Sequence, residues 1–192
     1  LGAGLRLYHL GENSFVADEF LDINGSYGYA KTGIWQSWDF NYQVPATENL
    51  NTARDERAVV YKWQVAQVLR VLPLSESSAR LVSVLWGIIS IGLVFFVARY
   101  LTKSSRVGLV AAFLFSVSVS AIIFDRRLRM YAMFLPIYLL FTTALYMFLE
   151  EPWSGKVKFL RKIFDRYGIN ILFGLLAVAL GVLSYLTHQL TL

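Results

Sequence analysis

The sequence predicts an all-α fold: a polytopic transmembrane helix bundle with amphipathic helices in its first extracytoplasmic loop. Three observations carry this. Of 192 residues, 56% are hydrophobic and only 16% charged, against roughly a quarter charged in an ordinary soluble domain. Residues 81–98, 107–124, 130–149 and 167–192 contain no Asp, Glu, Lys or Arg, giving uncharged runs of 18, 18, 20 and 26 residues. At about 1.5 Å per residue, 18 to 20 helical residues reach roughly 27–30 Å, the thickness of a bilayer's hydrocarbon core. Finally, basic residues collect between the runs. The competing arrangement, buried core helices in a large soluble protein, needs more polar surface than four such runs leave.

Taken in order, residues 1–10 (LGAGLRLYHL) read as the outer end of a first transmembrane helix whose beginning is missing, since the chain opens without Met and closes inside an apolar run. The chain is therefore expected to be a fragment. Residues 11–80 form an extracytoplasmic loop. Within it, ADEFLDINGSYGYAKTG begins with acids, as helix N-termini prefer, and ends on a Gly-containing stretch. ERAVVYKWQVAQVLRVL has apolar residues at helical spacing, closed by Pro73. Between these two helices, laid along the membrane face, an aromatic and turn-rich loop puts Trp35, Trp38 and Tyr42 near the interface. Spans follow over 81–98, 107–124, 130–149 and 167–190.

Charge orients the spans. Residues 1–80 hold 7 Lys/Arg and 9 Asp/Glu, and residues 81–192 hold 11 and 4, so the net charge of +5 arises entirely in the later part. Arg99, Lys103 and Arg106 in one connection, and Lys156, Lys158, Arg161, Lys162 and Arg166 in another, place both on the cytoplasmic side. Residues 1–80, the turn 125–129 and His188 then lie on the opposite face, in a bacterial inner membrane or an endoplasmic reticulum membrane. Basic charge interrupted by such runs is not a nucleic-acid surface. With no cysteine, thiolate metal sites and cysteine catalysis are excluded.

Two groups of residues carry chemistry. Asp18 and Glu19 lie just beyond the first span. In a helix Asp22 stands one turn from Asp18, with Glu19 about 100° away. Repulsion and nearby apolar surface would raise a carboxyl pKa towards general-base territory; ordinary solvated acids at a helix start are the alternative. Asp18, Glu19 and Asp22 could also hold a divalent metal ion, though no ligand spacing demands one. The turn DRRLR puts Arg126, Arg127 and Arg129 on the outer side, where few cations are expected. Guanidinium forks suit a phosphate or pyrophosphate, the alternative being side chains that snorkel to lipid headgroups.

At these residues the sequence resembles the GT-C membrane glycosyltransferases, the polyprenyl-phosphate-sugar-dependent group that includes protein O-mannosyltransferases and aminoarabinose transferases. RLYHLGENSFVADEF is similar to the end of that group's first span with its Asp-Glu motif. SESSARLVSVLWGIISIGLVFFVARYL is similar to its second span, and FDRRLRMYAMFLPIYLLFTTALYMFL to its fourth, in the same order and at similar separations. The resemblance implies transfer of a sugar from a polyprenyl-phosphate donor to an unidentified acceptor on the extracytoplasmic face, with inversion. It implies Asp18 as base, Glu19 as its companion in positioning acceptor or metal, Arg129 as the lipid-phosphate ligand and Arg126 and Arg127 as supporting ligands. Arg80 is either a second phosphate contact or an interfacial anchor. A lipid-linked sugar transporter or flippase, and a noncatalytic membrane partner, are the rival functions.

The sequence departs from that group where relatives carry His-Pro-Pro or Lys-Pro-Pro; here the region reads ARDERAVVYKW. Glu56 is either a second carboxylate or an exposed helix-start acid. His188 is a site residue by its depth or a structural interfacial His, and Asn24-Gly25-Ser26 matches a glycan-acceptor sequon.

Overall fold

The computed structural model describes residues 1–46, 58–155 and 157–188. Glu56 and Lys156, and the last two residues of the expected span 167–190, lie outside the described residues. The chain divides into two compact units, Leu1–Met133 and Phe134–Leu192. It is mostly helical, with one small antiparallel hairpin that an all-α expectation does not include.

The first unit opens with α1 (Gly2–Leu7) and continues through α2 (Ala17–Thr32) to the hairpin, whose strands are β1 (Trp38–Asp39) and β2 (Val44–Pro45). The hairpin closes because the Asp39 carboxylate accepts from the N–H groups of Asn41 and Tyr42, fastening the turn between the strands. It lies against α2, where Trp38 meets Tyr27 edge to face and Trp35 stacks on Tyr29 at 4.2 Å. These tryptophans are thus half-buried against the first helix of the loop, while Tyr42 is exposed.

Helix α3 (Val59–Val71) buries Tyr61, Lys62, Val65, Ala66 and Leu69, a stripe at i, i+3 and i+4 spacing. It packs between α2 and α4 (Glu76–Thr102). Helix α4 contains the uncharged run 81–98 and extends beyond it at both ends. The Ser75 hydroxyl accepts from the Ser78 N–H at 3.2 Å as N-cap, and Lys103 adopts a left-handed conformation at the C-cap.

The expected single span 107–124 is instead two helices, α5 (Ser105–Val117) and α6 (Val119–Asp125), bent by 63°. The break falls at Ser118, whose hydroxyl caps α6 by accepting from the Ala121 N–H. A serine within Ser-Val-Ser-Val-Ser gives the backbone this local alternative to a continuous helix. Asp125, expected in the outer turn, ends α6 and is buried.

Helix α7 (Tyr131–Glu150) supplies the first helix of the second unit, which adds α8 (Lys158–Tyr167) and α9 (Ile171–Thr187). Gly174 and Gly181 of α9 face the Phe148 and Phe141 rings of α7, leaving room for close approach. The connection 150–166, expected as a loop, contains α8, and α9 turns 88° from it. Among the described residues, two helices are long and apolar enough to cross a membrane, α4 and α7, or up to four if each bent pair is one span.

Candidate functional site

The two chemically suggestive segments come together within the first unit, beside the N-terminal end of α4. Glu19 is the third residue of α2, and its Oε2 accepts from the Val16 N–H at 3.0 Å, satisfying a backbone donor at the helix start. From there its carboxylate points inward and is only 1% exposed. Nε and Nη2 of Arg80 donate to its two oxygens at 2.9 and 2.8 Å, and the Leu128 N–H in the arginine turn donates to Oε1 at 2.7 Å. Burial alone would raise the Glu19 carboxyl pKa. The Arg80 fork and the Leu128 and Val16 N–H groups outweigh burial and hold it below its ordinary value of 4.5. The expected upward shift towards a general base is thus reversed at Glu19, because its charge is met by a buried cation and two backbone donors.

Arg80 is equally committed. Its Nη1 donates to the Leu10 and Asn13 carbonyl oxygens at 3.0 and 2.8 Å, and Nη2 also reaches the Ser14 carbonyl oxygen at 3.2 Å. With the Glu19 contacts, these acceptors occupy all five guanidinium N–H groups. Arg80 thus ties the connection between α1 and α2, and the start of α2, to α4, while also lining the cavity described below.

Asp18 points elsewhere. It is exposed, and its carboxylate makes no hydrogen bond or ion pair among the described residues. Its backbone carbonyl accepts from Nη1 of Arg129 at 3.1 Å. The same Nη1 donates to Oδ2 of Asp22 at 3.1 Å, and Lys62 Nζ stands 3.4 Å from Oδ1. Mutual repulsion between Asp18 and Asp22 is therefore not the dominant electrostatic effect, since two cations compensate Asp22. Burial works to lower the Arg129 pKa, but Tyr131, Asp22 and Asp18 together raise it, keeping the guanidinium charged.

Sequence reasoning missed Lys62 and Tyr61, both buried on α3. The Tyr61 hydroxyl lies 2.7 Å from the Ser83 hydroxyl, and Ser83 Oγ donates to the Arg129 carbonyl oxygen at 3.4 Å. Burial pushes the Tyr61 pKa up; Ser83 opposes that shift, and the charges of Asp22 and Glu19 reinforce it. A lysine on the apolar stripe of an amphipathic helix is the signal that could have revealed Lys62. A second missed pair is Arg6 with Asp125. Nε of Arg6 donates to Asp125 Oδ2 at 2.7 Å, with both side chains buried, and Arg6 Nη2 is buried with no hydrogen-bond partner among the described residues. A Cβ at Gly87 would overlap the Asp125 carboxyl, so glycine at that point of α4 admits the pair.

Residues 126–130 form a turn, since α7 starts at Tyr131; Arg126 and Arg129 therefore do not share a helical face. Arg126 Nη2 donates to the His9 carbonyl oxygen at 3.0 Å. Arg127 is exposed, with no side-chain hydrogen bond or ion pair among the described residues. Both line a cavity of about 500 Å³ with Asn13, Ser14, Ile122 and Ile123 among its other walls. Glu19 and Arg80 also line it, so cationic, acidic, polar and aliphatic side chains meet in one cavity. Arg129 is not among its lining residues.

Among the described residues, no three His, Asp or Glu side chains converge to hold a metal ion. Asp18, Glu19 and Asp22 do not fit such a group, because Glu19 is taken by Arg80 and Asp22 by Arg129 and Lys62. The sequon Asn24-Gly25-Ser26 lies inside α2 with Ser26 fully buried, a conformation unsuited to glycan attachment. His188 caps α9, its ring 5.2 Å from Phe134 within the second unit. No family model, curated protein or solved structure matches the chain.

Proposed function

We propose that this chain is the donor-side part of an integral-membrane glycosyltransferase that moves a sugar from a polyprenyl-phosphate carrier to an acceptor on the extracytoplasmic face. The observation that carries the reading is an exposed Asp18 carboxylate, without hydrogen bond or ion pair among the described residues, in the same unit as a cavity lined by Arg126 and Arg127, by the aliphatic Ile122 and Ile123, and by Glu19 already paired with Arg80. A lipid phosphate has that dual character: an anion whose oxygens accept from guanidinium groups, attached to hydrocarbon.

In the proposed reaction, the acceptor hydroxyl attacks the anomeric carbon as Asp18 takes its proton. The bond from that carbon to the phosphate oxygen breaks on the opposite side, its electron pair leaving with the phosphate, so configuration inverts. Arg126 and Arg127 stabilise the departing negative charge. Arg129 holds the Asp18 backbone while Asp22 holds Arg129, making them positioning residues. Glu19 and Arg80 serve as the frame on which α2 and the arginine turn are mounted.

The test uses the full-length protein in membranes with a polyprenyl-phosphate sugar. Asp18→Asn abolishes transfer and leaves donor binding intact. Retention of transfer by that variant would refute the role of Asp18. If the wild-type protein moved the lipid between leaflets without transferring sugar, and Asp18→Asn left that movement intact, a flippase would be the correct reading.

A further inference from the structure

We propose that α8 lies in the cytoplasmic membrane interface and binds the headgroups of anionic phospholipids. The proposal requires that α9 enter the bilayer but is independent of sugar transfer.

The ten residues KFLRKIFDRY separate by chemistry around the helix. At about 100° per residue, Phe159, Leu160, Ile163, Phe164 and Tyr167 fall within one arc of roughly 140°. Lys158, Arg161, Lys162, Asp165 and Arg166 occupy the opposite arc, four cations and one acid. None of the ten is buried; Phe159 is 70% exposed and Tyr167 61%. An aqueous surface does not favour this aromatic face, whereas a helix with aromatic residues on one side and Lys/Arg on the other suits the boundary between acyl chains and headgroups.

The direction of α8 is fixed within the second unit. Gly168, at φ 68°, ends the helix and donates its N–H to the Phe164 carbonyl oxygen at 2.7 Å. At the corner, the Asn170 backbone N–H donates to the Phe148 carbonyl oxygen at 2.9 Å, and its Nδ2 donates to that of Glu151 at 3.2 Å. The end of α7 thereby anchors the corner from which α9 departs at 88° to α8. A helix perpendicular to an apolar segment that enters the bilayer near its normal lies close to the membrane plane. Its aromatic arc can then face acyl chains while its cationic arc meets phosphate. Net positive charge in this arc selects anionic over zwitterionic headgroups.

To test this, the full-length protein, with no other cysteine, is labelled with a fluorophore at Phe159→Cys and reconstituted into vesicles of phosphatidylcholine and phosphatidylglycerol. Quenching is compared when bromine is carried on one lipid or the other at equal content. Brominated phosphatidylglycerol is expected to quench more strongly. Combining K158Q, R161Q, K162Q and R166Q lowers that preference by at least about fivefold, while exchanging each Lys for Arg and each Arg for Lys preserves it. Glutamine retains helix propensity, and circular dichroism with thermal unfolding verifies the folded state; the double variant K162Q/R166Q gives a graded loss. Equal quenching by the two lipids in the wild-type protein, or a preference unaffected by charge removal, would overturn anionic-lipid binding. Absence of quenching by either lipid would overturn the interfacial placement and indicate that protein covers the aromatic face.

Discussion

Arg80 and Glu19, 61 residues apart, form a two-pronged buried ion pair at 2.9 and 2.8 Å. Breaking a buried pair leaves an uncompensated charge, at a cost of about 3–5 kcal/mol. Glu19→Gln is therefore expected to lower the unfolding temperature sharply in detergent. Arg80→Lys is also destabilising, since an ammonium cannot reproduce the planar fork and its three carbonyl contacts. A wild-type unfolding temperature in either variant would contradict this structural role.

The same pair predicts acid sensitivity. Because the folded-state pKa of Glu19 is depressed, its contribution to stability is present above the unfolded value near 4.5 and is lost as pH falls through the lower folded value. Thermal unfolding measured from neutral pH to below 4.5 should show this acid-side loss. Its slope is reduced in Glu19→Gln.

Asp18 should behave oppositely. Its carboxylate is exposed and holds nothing in place, so Asp18→Asn changes stability by no more than about 0.5 kcal/mol. Under the proposed mechanism, transfer falls by at least about 100-fold with the loss of the general base. Unfolding and activity measured on one preparation test both expectations.

Asp22 links catalysis to folding through Arg129 and Lys62. Asp22→Asn removes a carboxylate between two cations and is expected to cost about 3–5 kcal/mol, with reduced transfer because Arg129 no longer holds the Asp18 backbone in place. Arg127→Gln removes a cavity-facing charge without that structural burden. It should weaken donor binding by at least about tenfold while leaving the unfolding temperature unchanged, as titration with polyprenyl-phosphate sugar would measure.

Gly87→Ala tests the Arg6–Asp125 pair. The added methyl meets the Asp125 carboxyl, and such overpacking costs about 1–3 kcal/mol. Replacing Asp125 by Gly in the same protein removes every side-chain atom the methyl meets, so a double-mutant cycle should show strong coupling between the two positions.

Hydrophobic runs and their flanking charges were sufficient to locate α4 and α7, because span length is set by apolar composition and helical rise. Acids at its start and a Gly-containing stretch at its end marked α2, helical spacing marked α3, and an excess of arginine singled out 126–129. The Ser118 break and α8 were less legible. A capping hydroxyl competes with helix continuity only in its local geometry, and the aromatic arc of α8 was obscured by cations that also read as loop charge.

The sequence by itself determined an apolar, predominantly helical chain and the candidate acids and arginines. Only tertiary structure decided how those charges were used. Pairing depends on which buried groups approach within a few ångströms, so folding joined Glu19 to Arg80, Asp22 to Lys62 and Arg129, and Arg6 to Asp125, while leaving Asp18 and Arg127 unpaired among the described residues. Sequence separation does not encode that proximity; packing of α2 and α3 with α4 beside the arginine turn creates the first two sets, and packing of α1 and α6 on α4 creates the third.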